Sequence, residues 1–452
     1  MNHKLPLQSK VGYSVGAYGM MLPWFIQSVF VFYFYTDVLG ITPEQAGTIF
    51  FIAVLWDAIT DPIVGVLADR TRTRWGKYRP YLLFASVPLA LSLIAVFLKP
   101  DWPIEELFIL ALLSHLLFRL CFTLIYIPYT SMLAKISPDT TERSSVAAYK
   151  SVAVSFGTLT VSLFTLKLVD FFGGGDESKG FLLTAALFAV LMVCSLWVCF
   201  FSTTEVSESE ENFDKARYEI LAAGKSLIKN GPFLMVFFGV IAFTGCYTIM
   251  LKSIVYFFKY NLADAESARW GLSAASLSGI FAVPIWVVVT KRTSKRFVWI
   301  AGSILASSGL LVLHLNQEIT IISAVINIFV IACGISAFLM TFYAMIADTI
   351  DYGEWKYGTR IEAFSFSVLS FANKSSLAIG GGSLGFMMAS VGYTANAEQS
   401  AEALMGIKTI LTLVPAAGFL VSAIVIYFYP IDAKYHQKIR EDILARKNTD
   451  NS

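Results

Sequence analysis

The chain is 452 residues long, 56% hydrophobic and 15% charged, with a mean hydropathy of +0.66. Soluble globular proteins carry roughly 45–50% apolar and about 25% charged residues, so this balance excludes an ordinary soluble domain. A net charge of +2 argues against a nucleic-acid partner.

A hydrocarbon core about 30 Å thick takes roughly 20 apolar helical residues per crossing. Apolar runs between charged or Gly/Pro-rich breaks predict twelve spans, at 12–36, 46–69, 80–98, 104–134, 145–170, 180–202, 232–258, 268–290, 297–315, 319–347, 361–391 and 404–430. The first ten residues are short and polar, and the run after them is too long for a signal h-region, so no cleavable signal is expected. The longest polar interruption, Ser202 to Asn230, separates spans six and seven. The expected organisation is an N-terminal six-helix bundle at 1–202, a cytoplasmic middle loop at 203–230, a C-terminal six-helix bundle at 231–430 and a cytoplasmic tail at 431–452. The fold class is therefore an all-α polytopic membrane protein of twelve transmembrane helices in two pseudo-symmetric six-helix bundles. Five cysteines (Cys121, Cys194, Cys199, Cys246, Cys333) lie inside apolar runs, where small buried side chains are expected and disulfides or metal sites are not.

Ionisable groups inside the spans carry the functional signal, because each is costly in hydrocarbon unless paired or facing water. Span two holds Trp56-Asp57-Ala58-Ile59-Thr60-Asp61-Pro62, with two carboxylates four residues apart on one helical face. Such a pair calls for a proton, a cation or a basic partner. Pro62 also frees the Ala58 carbonyl from its helical donor, and Thr60 adds a hydroxyl. This oxygen-only chemistry suits a hard cation or a proton, and a helix-pairing network is the structural alternative. After span two comes a basic loop (Arg70, Arg72, Arg74, Lys77, Arg79), matched after span eight by Lys291, Arg292, Lys295 and Arg296. With the N-terminus inside, about 25 of the 34 basic residues fall in cytoplasmic segments, which places both termini in the cytoplasm. The same loops reveal a repeat: Asp61-Pro62-Ile63 and the residues after it align without gaps on Val283-Pro284-Ile285, as a duplicated six-helix unit would predict.

Further along, Arg119 lies deep in span four with His115 one turn earlier, and a cavity-facing role is expected for it. His115 reads as a packed interface residue rather than a proton relay. Gly173-Gly174-Gly175-Asp176 reads as an extracellular turn. For Lys252 the sequence leaves snorkelling and a functional role equally open, and Lys408, near a helix start, reads as structural. Lys374 lies in the middle of span eleven, too deep to snorkel easily, with Asp57 and Asp61 as its natural counter-charge. No metal-ligand His/Cys spacing or nucleophile–base arrangement appears, so no enzymatic activity is expected.

These residues resemble the glycoside–pentoside–hexuronide:cation symporters of the major facilitator superfamily, the group that contains the melibiose permease. The matches include Tyr35-Thr36-Asp37-Val38-Leu39-Gly40, the span-two motif, Arg74-Trp75-Gly76-Lys77, Ile127-Pro128, Glu142-Arg143, Asp348 to Lys356, Lys374, and Val391-Gly392-Tyr393 through Ser400. The resemblance implies the major facilitator fold and alternating access. It implies a cation site of Asp57, Asp61, Thr60 and Thr123, with Thr60 replacing a family Asn and sodium possible at the two carboxylates. It also implies that Asp348, Asp351, Glu354 and Arg360, joined by Glu142 and Arg143, form a charge network closing the cytoplasmic side. On the sugar side the pattern departs. Met21 and Tyr126 stand where melibiose-type carriers have aspartates, and Thr130 stands where they have a stacking Trp.

Lys374, Arg119, Tyr126, Thr130, Met21 and Lys150 are the candidate substrate contacts. With two carboxylates gone and Arg119 present, the leading substrate reading is an acidic sugar such as a uronide. The function expected is sodium- or proton-coupled symport of a sugar or glycoside, with a lysolipid or other amphiphile carrier and a non-transporting membrane sensor as alternatives. No cofactor beyond the coupling cation is expected. The partners expected are the solute, a monovalent cation and membrane lipid, around a monomer in the inner membrane.

Overall fold

A computed structural model describes residues 5–137, 139–205, 226–358 and 362–450. Helix α1 (Leu7–Tyr33) runs on into a π-helical turn, Phe34–Leu39, which Gly40 ends at φ 86°. Helix α2 (Pro43–Arg70) opens on a reciprocal cap. Thr42 Oγ1 accepts from Gln45 N at 3.3 Å, Gln45 Oε1 accepts from Thr42 N at 3.0 Å, and Pro43 fills the first position, where no amide is needed. The third predicted span is split at Ala85 into α3 (Arg79–Phe84) and α4 (Ser86–Val96). Then follow α5 (Ile104–Lys135), α6 (Thr140–Gly173) and α7 (Glu177–Ser202). Between α6 and α7 the glycine run makes the expected turn: Gly174 and Gly175 take positive φ, and Asp176 Oδ1 caps α7 through Ser178 N at 2.9 Å.

The second half begins with α8 (Gly231–Tyr256), which, like α1, ends in a π-helical turn, Phe257–Asn261. It continues through α9 (Ala268–Arg292), α10 (Lys295–Leu315), α11 (Ile321–Tyr357), α12 (Glu362–Ser390) and α13 (Ala401–Tyr427). Ten of these described helices are long and apolar enough to cross a membrane. The broken α3–α4 segment and α12 occupy the other two of the twelve predicted spans. The sequence repeat has a structural counterpart: Pro62 lies inside α2 and Pro284 inside α9, each the same eight residues before its helix ends.

Two boundaries move. Helix α11 runs past residue 347 to Tyr357, because the charges at Asp348, Asp351 and Glu354 end the apolar stretch and not the helix. Gly358, at φ 70°, ends it. The tail also folds, into α14 (Ala433–Asp450), opened by Asp432 Oδ1 accepting from Tyr435 N at 2.8 Å. It docks on α11, where Trp355 Nε1 donates to Asp442 Oδ2 at 3.0 Å and Arg446 donates to Trp355 O at 2.8 Å.

The helices group into two compact units that do not follow the chain halves. The first unit holds the described residues up to 205 together with Leu251–Ser276 and Gly381–Ile407. Small residues permit this grouping, because α2 and α12 meet backbone to backbone. A side chain at Gly47 would lie 2.5 Å from Gly382 O, and one at Gly385 would collide with Pro43 O. The second unit holds the described residues 226–250, Leu277–Gly380 and the chain from Lys408 onward.

One carboxylate ties the basic loop after α2 to the end of α7. Glu205 accepts from Lys77 N (2.8 Å), Tyr78 N (2.8 Å) and Arg79 N (2.7 Å), the opening donors of α3. Arg79 Nη2 adds a bond to Phe200 O at 2.7 Å. Glu205→Ala leaves those three amides without their acceptor and is expected to cost about 1–3 kcal/mol. Thermal unfolding of the purified protein in detergent checks this, and an unchanged midpoint would refute the anchoring role.

Candidate functional site

Helices α2 and α5 meet at two rungs one helical turn apart. At the first, Arg119 faces Asp57 side-on: Nε donates to Oδ1 at 3.2 Å, and Nη2 pairs with Oδ2. At the second, Thr123 Oγ1 donates to Asp61 Oδ1 at 2.9 Å. Both rungs join residues 62 apart in sequence, so the i, i+4 spacing of the carboxylates is answered by an i, i+4 spacing on α5. Asp57 is 4% exposed, and the Arg119 guanidinium lies 5.6 Å from the Trp24 ring, which stacks on Phe122. The arrangement gathers two carboxylates and a hydroxyl, with a guanidinium already seated on one carboxylate. Thr60 is buried beside them, its hydroxyl donating to Trp56 O at 2.9 Å and its oxygen lone pairs left as acceptors.

The remaining predicted contacts fall in several places. Tyr126 is 37% exposed and stacks on Phe122 at 5.4 Å, while Thr130 donates back to Tyr126 O and Ile127 O of its own helix. Met21 sits against Gly157 of α6. Lys150 Nζ lies 5.6 Å from the Tyr129 ring. That ring stacks on Tyr13 at 4.6 Å, and the two hydroxyls donate reciprocally to each other's backbone carbonyls. Lys374 is half-buried on α12, within the second unit.

Several of the predicted gating charges have partners within their own unit. In the first unit, Lys10 Nζ meets Glu142 at 2.7 Å, and Arg143 Nη1 donates to Ser137 O at 3.3 Å. In the second unit, Lys295 Nζ meets both oxygens of Asp348 at 2.8 Å, and His436 Nε2 of α14 lies 3.0 Å from Asp351. The Glu354 main-chain oxygen accepts from Gly358 N, closing the helix. Arg360 lies outside the described residues.

Three other basic or titratable groups are resolved by their surroundings. His115 is buried, with Nε2 at 3.3 Å from Gln27 and Nδ1 at 3.1 Å from the Tyr35 hydroxyl, an interface residue as expected. Lys408 donates to Asn316 O at 2.7 Å, a structural tie. Lys252 does not snorkel: it is 3% exposed.

Sequence reasoning missed one cluster in the first unit. Asp37, in the π turn after α1, has a fully buried carboxylate. It accepts from Thr36 Oγ1 (2.7 Å), Lys259 Nζ (2.8 Å), Tyr393 OH (2.5 Å) and the Tyr260 hydroxyl. Lys259 also reaches Tyr33 OH and Asn396 Oδ1, each at 2.8 Å. Both charges stand at the ends of apolar runs, where they read as span boundaries. The available signal was that Tyr33-Phe34-Tyr35 and Tyr256-Phe257-Phe258 carry the apolar pattern right up to them.

Comparison with known proteins fits this arrangement. The sequence profile of the family described as MFS/sugar transport protein matches residues 12–433. The isoprimeverose transporter of Lactiplantibacillus pentosus is 32% identical, over 99% of this chain and 93% of that protein. The putative sulfoquinovose importer of Salmonella typhimurium is 30% identical (99% and 95%), and the glucuronide carrier protein homolog of Escherichia coli is 27% identical (99% and 97%). Among solved structures, a D-xylose–proton symporter superposes with a TM-score of 0.69 at 13% identity, covering 95% of this chain and 98% of its own, which establishes the major facilitator fold. The family profile spans most of the sequence and the relatives align nearly end to end, so the chain belongs to the MFS/sugar transport family, within its glycoside–pentoside–hexuronide:cation symporters.

Proposed function

We propose that the protein couples the entry of a sugar or glycoside to a monovalent cation, sodium or a proton, by alternating access, and that α2 and α5 hold the cation. Family membership supports the symport reading, as do relatives named for isoprimeverose, a glucuronide and sulfoquinovose. The observation that carries the residue assignment is the two-rung contact of Asp57 with Arg119 and Asp61 with Thr123. The carboxylate, hydroxyl and carbonyl oxygens of this region suit a hard cation. Arg119 acts as the cation's stand-in at Asp57. A cation that takes both carboxylates displaces the guanidinium, and the charge released in the interior needs a new partner. Coupling follows if the solute-bound state stabilises the displaced arrangement. By linkage the solute then raises cation affinity by the factor that the cation raises solute affinity.

Lys374, Tyr126, Thr130, Met21 and Lys150 are the candidate solute contacts. The charged groups Glu142, Arg143, Asp348, Asp351, Glu354 and Arg360 are read as gating charges on the cytoplasmic side. Both termini face the cytoplasm on this reading, because the basic loops after α2 and α9 lie on that side.

Two experiments test the cation assignment. In proteoliposomes with an imposed sodium or proton gradient, Asp57→Asn and Asp61→Asn are each expected to lose uphill solute accumulation, since each removes one charge and leaves the helix intact. Normal concentrative uptake in both variants would remove these residues from the cation site. Arg119→Gln takes away the internal competitor and is expected to tighten cation binding by about tenfold or more. Calorimetric sodium titration, with proton release followed in parallel, measures this, and unchanged or weaker binding of both cations contradicts the stand-in role.

A further inference from the structure

Lys252, on α8, is another interior cation of the first unit, and the cation site above makes no use of it. Its Nζ donates to Ser28 O of α1 at 2.6 Å and lies 4.2 Å from the centre of the Phe50 ring on α2. Its stem borders Gly381 of α12, where an added Cβ would crowd the Phe50 ring at 3.1 Å and touch the Lys252 methylene next to the ammonium at 3.4 Å. These hydrogen-bond and ring partners are neutral. By contrast, two other buried cations of the first unit each meet a carboxylate: Arg119 meets Asp57 and Lys259 meets Asp37.

An ammonium brings three donors and a full charge, and holding it in the interior costs several kcal/mol unless an opposite charge answers it. A backbone carbonyl and a ring face recover part of that cost. An anion recovers more, because an ionised acceptor strengthens the bond roughly twofold over a neutral one. Lys252 is therefore a charge held by neutral placeholders that an anionic ligand displaces with a net gain. Arg119 is already committed to Asp57.

We propose that Lys252 reads an anionic group, a carboxylate or sulfonate, on the transported sugar, so that the substrate class is acidic sugars; this rests on the symport reading given above. The ammonium exchanges Ser28 O and the Phe50 face for the anion as the solute binds. It sets specificity by charge, while the hydroxyl contacts of the sugar ring are made elsewhere.

The test measures binding of methyl β-D-glucuronide and methyl β-D-glucoside to the full-length purified protein by calorimetry in sodium, for wild type, Lys252→Met and Lys252→Arg. Wild type is expected to prefer the glucuronide by about ten- to a hundredfold. Lys252→Met is expected to lose that preference while still binding the glucoside, which also shows that the variant is folded. Lys252→Arg should recover part of the preference, because it restores the charge. Equal binding of the two glycosides by wild type overturns the proposal, as does a preference that survives in Lys252→Met. If wild type takes up the glucoside under a cation gradient with no acidic preference, the symport reading stands and the assignment of Lys252 falls. If wild type binds neither glycoside, the assignment of Lys252 falls, and the symport reading is judged by the gradient-driven uptake described above.

Discussion

Burying charge in a low-dielectric interior is the constraint on which this structure turns. A carboxylate placed in the middle of a span has to be met by a cation, a proton or several donors, or the helix around it does not stay in the membrane. Asp57 is met by Arg119, and the meeting fixes the register of α2 against α5, with Asp61 and Thr123 closing the next turn. Asp37 is met by four side-chain donors drawn from α1, α8 and the loop after α12. In each case the electrostatic requirement determines which helices touch and where. Apolar packing alone would allow them to slide, because lipid tails are as good a neighbour for Leu as another Leu is.

The same constraint gives a physical account of coupling. A charge that has one good partner is inert, whereas a charge whose partner can be replaced is a switch. On the reading proposed above, Arg119 on Asp57 is such a pair, and Lys252 on the Ser28 carbonyl is another with a weaker hold. Moving either charge changes what the remaining groups need. Two such sites within one compact unit make the occupancy of one matter to the other through electrostatics, over distances that hydrocarbon screens poorly. The close α2–α12 contact through Gly47, Gly382 and Gly385 adds a mechanical condition. Helices that meet backbone to backbone move as one piece or separate altogether, with little room for intermediate packing.

Much of the fold was legible because hydrocarbon imposes a length and a composition on every crossing. The predicted spans fall within a few residues of the helices over most of the chain. They fail where that rule is silent. The third span breaks at Ala85 because Pro88 has no amide to donate to the Phe84 carbonyl, a break inside an unbroken apolar run, and beyond residue 347 a helix continues through charged residues that carry no membrane signal. The α14 tail helix was missed for the same reason. Its mean polarity is high, and its stability comes from docking on Trp355 rather than from a pattern of its own. In the candidate site, the sequence singled out the two carboxylates and Arg119, and the family resemblance added Thr123. The partner of Arg119 was not foreseen, because partner choice depends on the relative rotation of two helices, which spacing along one helix does not encode. The Asp37–Lys259 pair joins residues more than two hundred positions apart at the ends of two spans, and each alone looks like an ordinary interfacial charge.

The two π-helical turns have a consequence for where charge can be placed. A π turn carries one residue more per turn than an α turn, so it widens the helix end and turns side chains out of the regular helical register. Here Phe34–Leu39 ends the first helix of one half and Phe257–Asn261 ends the first helix of the other, and Asp37 and Lys259 stand within them. The two residues are 222 positions apart, the same offset that relates Pro62 to Pro284. The same irregularity at matching places in the two halves thus presents opposite charges, and the two ends are joined as an ion pair.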